Sequence, residues 1–162
     1  MGRGGTRQGR YILLYVRVEC VICAMRRLPE SKGPLVVRTD FSDQAAWEGI
    51  CAAIREPVGG FYAYVEFLDD GTYQDVTKEQ LLGLVPQKDE HGFMFLVDRD
   101  TISHAEHPLL VVDLWDAPGR EFRAIPSQVQ GIQNNLSIAN MDFFEFADAV
   151  DEDGIFRGFF RG

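Results

Sequence analysis

Cysteine is scarce, three in 162 residues, and an odd, small count does not build the disulfide framework of a secreted scaffold. A reducing, cytoplasmic setting is the expectation. Long hydrophobic runs are also missing. The longest apolar stretch, Tyr11 to Met25, is interrupted by Arg17 and Glu19, short of the ~20 apolar residues that a membrane-spanning helix needs. Arg3, Arg7 and Arg10 imitate the start of a signal peptide, but charges fall inside the apolar region and no small-x-small cleavage site follows. A phosphate-binding glycine pattern is absent too. Gly59-Gly60 has no following Lys or helix start, and there is no GxGxxG, so nucleotide binding has no support.

Metal ligation fares no better. Cys20 and Cys23 have zinc-like spacing without a second ligand pair. His104 and His107 sit in a polar loop before Pro108, and His91 lies beside Asp89, Glu90 and Gly92 as a turn residue. No metal and no cofactor is expected.

What is abundant is apolar and acidic. Hydrophobic residues make up 46% and include 12 Phe, 5 Tyr and 2 Trp. That is enough for one core, since each large buried side chain contributes roughly 1.5–3 kcal/mol. The net charge of -9 is unevenly spread. Residues 1–27 carry six Arg and one Glu, whereas residues 28–162 carry ten Lys or Arg against 24 Asp or Glu. A body so acidic repels phosphate backbones and anionic lipid, so neither nucleic acid nor membrane is an expected partner. A basic protein is.

Residues 1–27 therefore read as an atypical N-terminal extension and residues 28–162 as a single acidic globular domain. Two readings stand for residues 1–24: a segment upstream of a natural start at Met25, or an added edge strand, because Val16-Arg17-Val18-Glu19-Cys20 alternates with period two.

From Leu35 the pattern predicts alternating elements. Residues 35–39 form a β-branched strand; Ser42 or Asp43 then caps a helix whose buried stripe is Ala46, Trp47, Ile50, Cys51 and Ile54. Residues 61–67 form a second strand. Thr77 with Gln80, Ser127 with Gln130, and Asp142 with Glu145 are three capping boxes. In the last helix Phe143 and Phe146 face the core and Phe144 points away. Residues 93–97 and 109–115 are nearly continuous apolar runs, suited to strands covered on both faces. Pro118-Gly119 turns the chain into a hairpin with residues 120–125. The fold class is α/β (α+β): a single domain with a mixed sheet of about five strands and three or four helices.

Asp40, Asp69, Asp98 and Asp116 each fall at or just beyond a strand end. Ligands bind at that edge in open parallel sheets, although Asp is also a common turn residue and cap. The hairpin prevents all four from sharing an edge. Asp113, inside an apolar run, needs a partner, for which Arg38 and Arg123 are the candidates. The Asn-rich run from Asn134 to Phe146 leaves Asn134, Asn135, Asn140 and outward Phe144 unexplained by helix initiation.

The stretches LVVRTDFSD (35–43), VVDLWD (111–116), NNLSIANMDF (134–143) and DEDGIFRGF (151–159) resemble an actinobacterial family of domains of unknown function, over roughly residues 28–160. Members of that family usually begin near the position of Met25. The family has no assigned chemistry, so the resemblance implies no activity. The Asn-rich segment leading into Phe143-Phe144-Glu145-Phe146 is also similar to the closing segment of bacterial immunity proteins of the SMI1/KNR4-like class.

Two functions remain open. One is an acidic interaction protein, immunity-like, that neutralises a basic partner. The other is an enzyme or small-ligand binder using Asp40, Asp98 and the amides of Asn134, Asn135 and Asn140.

Overall fold

The computed structural model describes residues 26–87 and 89–159. The alternating Val16–Cys20 segment, the Cys20/Cys23 pair and the Met25 start lie outside them.

The sheet is built from β1 (Leu35–Arg38), β2 (Glu66–Leu68), β3 (Phe93–Val97), β4 (Leu109–Asp113), β5 (Glu121–Ala124) and β6 (Ile155–Phe156), in the order β2-β1-β3-β4-β5-β6. β1 pairs in parallel with both β2 and β3, and β5 with β6, whereas β4 is antiparallel to both neighbours. A mixed α/β sheet is thus present, and among the described strands β4 runs against the rest. Every residue of β1, β3 and β4 is buried, as their unbroken apolar runs require of central strands.

Helices cover both faces. Against one face pack α1 (Gln44–Arg55), α4 (Val129–Ser137) and α5 (Phe143–Asp148), with Trp47, Ile50, Ile54, Ile132, Phe143 and Phe146 in the core. Against the other lie α2 (Lys78–Leu82) and the turn Gly71–Tyr73, which bury Tyr73, Val76 and Leu81. The short α3 (Arg99–Ser103) sits at the end of β3. Phe146 meets Phe122, Phe156 and Phe159 at ring-centre distances of 5.2–6.3 Å.

The helix starts follow the sequence at three places. Asp43 accepts from the Ala46 amide and opens α1, Thr77 and Gln80 close a reciprocal capping box on α2, and Asp142 and Glu145 close another on α5. Ser127 forms no such box. Pro126–Gln128 turns as a 3₁₀ helix, and α4 begins behind it without a side-chain cap.

The second strand is shorter than its sequence pattern. Gly59 and Gly60, both at positive φ, fold Val58 back onto Phe61, and only Glu66–Leu68 pairs with β1. Residues 61–65 overrun the four-residue β1 and have no strand to pair with among the described residues. The Tyr64 amide instead donates to Gln133 Oε1 on α4.

Candidate functional site

Reversal of β4 sorts the strand-end aspartates. Asp40, Asp69 and Asp98 follow β1, β2 and β3 at one edge, while Asp116 follows β4 at the other. The chain leaves β1 to build β2 on one side and β3 on the other, so the gap between β1 and β3 is the topological switch point where open sheets bind ligands. A cleft of about 340 Å³ lies there, lined by Thr39, Asp40, Asp75, Val76, Asp98 and Arg99.

Its carboxylates are already engaged. Asp40 accepts the amide and hydroxyl of Ser42 on one oxygen, and Arg99 stands 3.8 Å from the other. Burial pushes the Asp40 pKa up, but the Ser42 hydrogen bonds and the Arg99 and Arg38 charges outweigh it and hold the carboxyl below the ordinary range. Asp98 caps α3 through the Thr101 amide and takes two nitrogens of Arg123, at 3.1 and 2.7 Å. Burial again opposes ionisation, and Arg123 and Thr101 overcome it. Both groups are carboxylates at neutral pH; donors occupy both oxygens of Asp98, whereas the second oxygen of Asp40 faces only Arg99. Among the described residues no group of three or more His, Cys, Asp or Glu is placed to hold a metal.

Besides Arg99, the same edge carries three further arginines among the described residues, each tied to acids. Buried Arg38 reaches Asp69 at 3.1 Å and Gln44 at 2.8 Å and stacks on Phe41 and Trp47. Arg123 serves Asp98 and Asp100. Arg157 holds Glu106, Asp151 and Asp153 at 2.6–2.7 Å. These arginines tie β1 to the loop beyond β2, β5 to the start of α3, and the segment after β6 to the loops that precede β4 and β6. The Arg157 cluster escapes sequence reasoning because its acids come from loops some fifty residues apart.

Asp113 corrects a sequence expectation. Its partner is neither Arg38 nor Arg123, both of which are committed to the far edge. Its carboxylate accepts the backbone amides of Trp115, Asp116 and Ala117 at 2.9, 3.2 and 3.0 Å. Three amide donors satisfy a buried carboxylate without a cation. They also fix the turn that leads into β5.

Beside that turn is a second, half-open cavity of about 130 Å³, walled by His91, Gly92, Asp113, Trp115 and Asp116 on one side and by Leu136, Ala139, Met141 and Asp142 on the other. The second wall belongs to the Asn-rich run. The Asn140 amide donates to Asn135 Oδ1, and its backbone N–H donates to the Asn135 carbonyl. Asn135 in turn donates to the Gly131 carbonyl. Ala139 adopts φ 52 inside this closed turn. Asn135 and Asn140 therefore shape the loop, and Asn134 lies half-buried on α4 beside them. The three Asn residues are at the opposite sheet edge from Asp40 and Asp98, so no single site contains all five.

Three large apolar side chains stand out around this cavity or next to its wall: Trp115 at 59% exposure, Ile138 at 75% and Phe144 at 49%. The outward position of Phe144 agrees with its place on α5. In the sequence Trp115 reads only as the end of an apolar run. It is nonetheless held in place: its indole N–H donates to the Asp89 carbonyl at 3.3 Å, and its ring covers Gly92. Gln133 is a buried amide linking Tyr64 to Ser137.

The remaining candidates have local roles. The ring nitrogens of His91 and His107 meet the Ser31 and Thr101 carbonyls, and His104 accepts from the Glu106 amide. Cys51 is buried under α1, and burial pushes its thiol pKa up to about 11, which disfavours the reactive thiolate. No helix among the described residues is long and apolar enough to cross a membrane.

No curated protein matches this chain. A family model does, across residues 33–159 and so across all six described strands. The chain belongs to the family described as Domain of unknown function (DUF6924).

Proposed function

We propose that this domain is a binding module for a basic protein partner, acting in the cytoplasm, and that it docks through the acidic, aromatic surface of α5 and the neighbouring turns. The observation that carries the reading is half-exposed Phe144 in a chain segment without Lys or Arg. No Lys or Arg occurs between Arg123 and Arg157, while Asp142, Glu145, Asp148 and Glu152 are exposed there. Asp148 and Glu152 form no ion pair with a described residue. Exposed aromatics anchor interfaces, and a field of one sign steers an oppositely charged partner toward them. The immunity-like form of this reading, neutralisation of a basic toxic partner, draws on the similarity of the closing segment.

Capture from native lysate, followed by affinity measurement on the recovered protein, tests the proposal. The partner is expected to be basic, to bind more weakly as salt rises, and to lose about tenfold or more in affinity on Phe144→Ala. A chain that captures nothing, or a partner indifferent to Phe144→Ala and to Asp148→Lys with Glu152→Lys, refutes it.

The cleft at the switch point favours a second reading, a small-ligand site at Asp40, Asp98 and Arg99. Arg99 is mostly exposed and only loosely paired, which leaves a cation free to meet an anionic ligand. Arg99→Ala abolishing binding of such a ligand is the expected sign.

A further inference from the structure

We propose that the cavity beside Trp115 is a recognition pocket for one lysine side chain of the basic partner. The inference depends on the reading above only for the origin of that lysine. Four observations converge on it.

The cavity is charged in one sense. Asp113, Asp116 and Asp142 line it, no Lys or Arg does among the described residues, and none of the three forms an ion pair with a described residue. Asp113 is only 2% exposed. Three amides satisfy it without a cation, so the carboxylates that a bound cation meets are those of exposed Asp116 and Asp142.

Its wall and floor are apolar, from Phe93, Leu136, Met141 and Phe143, which suits a hydrocarbon stem. The volume of about 130 Å³ is close to the roughly 150 Å³ in which an engineered cavity holds benzene. A lysine side chain fills about the same volume as benzene. An arginine side chain is larger, and its rigid plane needs more room.

Trp115 supplies the specificity for a cation. The indole face attracts an ammonium group more strongly than other aromatic faces do. An exposed tryptophan would normally be free to move, yet this one is fixed by its backbone amide on Asp113, its indole N–H on Asp89 and its ring on Gly92. A side chain fixed before binding loses little entropy on binding. The opposite wall is fixed as well, by the Asn135–Asn140 hydrogen bond.

The test uses the intact chain and three probes: Nα-acetyl-lysine methylamide, its arginine counterpart, and acetyl-norleucine methylamide, which has an uncharged stem. Two tryptophans give two indole N–H resonances. Trp47, buried and hydrogen-bonded to Asp69, is the internal control for folding. The lysine probe is expected to shift the Trp115 signal saturably and leave Trp47 in place, with arginine weaker and norleucine inert. Asp116→Asn should weaken the lysine probe up to about fivefold. A response without saturation, equal binding of norleucine, or tighter binding of arginine overturns the proposal. If the lysine probe fails while partner capture still depends on Phe144, the pocket is disproved and the partner reading stands. If the probe binds and no partner is captured, the reverse holds.

Discussion

Gly92→Ala tests whether Trp115 is positioned by design of the backbone. Gly92 lies at φ 75, and a Cβ there would meet the Trp115 ring at 2.7 and 2.8 Å. Gly154 provides the control, with φ 77 and nothing within 4 Å of its own added Cβ. Both substitutions impose the left-handed strain, about 1–2 kcal/mol. Only Gly92→Ala also displaces the indole. That movement breaks the hydrogen bond to Asp89, about 0.5–1.5 kcal/mol, and exposes ring surface now packed on the glycine. Gly154→Ala should therefore cost about 1–2 kcal/mol and Gly92→Ala about 2–4 kcal/mol. At this chain length each kcal/mol lowers Tm by roughly 2–4 °C. Thermal unfolding reads the difference, and the Trp115 indole resonance reads its cause. Equal losses in the two variants, or an unmoved Trp115 resonance in Gly92→Ala, would show that the ring is not held by that contact.

Further predictions concern the core and the edges. Asp98→Asn should cost about 2–3 kcal/mol, because it leaves the part-buried guanidinium of Arg123 short of its charged partner. Asp98 has a folded pKa below its unfolded value, so its contribution is present above pH ~4 and lost as pH falls through the folded pKa. Acid unfolding curves of wild type and Asp98→Asn should converge below that range, and parallel curves would exclude the linkage. Phe146→Ala should lose about 3–5 kcal/mol in denaturant melts, whereas Phe144→Ala should lose under about 1 kcal/mol and act on partner affinity instead. Gly131→Ala, in α4 with open space around the new methyl, should stabilise by about 0.4–1 kcal/mol, and a lower Tm would contradict it.

The sequence made the fold legible where one local rule governed each element. β3 and β4 announced themselves as unbroken apolar runs, and α1 through Trp47, Ile50, Cys51 and Ile54. Capping at Thr77 and Asp142 was local chemistry and survived folding. Residues 61–65 failed because alternation specifies an extended chain, while pairing depends on the length of the neighbouring strand. β6 escaped notice because two residues, Ile155–Phe156, carry no period. For the site, the Asn-rich run was visible and half of its meaning was not. Asn135 and Asn140 close a turn, and what that turn encloses is set by Gly92 and Trp115, drawn in from distant parts of the chain. The partner of Asp113 was missed for a related reason: amides of the following turn reach it before any distant arginine can.

The reversal of β4 also bears on the order of assembly. Val111 pairs with Phe122 across a short hairpin, whereas Val36 must find Phe95 from nearly sixty residues away. Loop closure costs more entropy over longer separations, and local pairing forms faster. The β3–β4–β5 meander is thus the expected folding nucleus, onto which β1, β2 and the C-terminal strand are added. Truncations at Val111 should slow folding, and truncations at Val36 should mainly speed unfolding. The turn that positions Trp115 would then be among the earliest parts of the molecule to take shape, before the α4–α5 wall that completes its cavity.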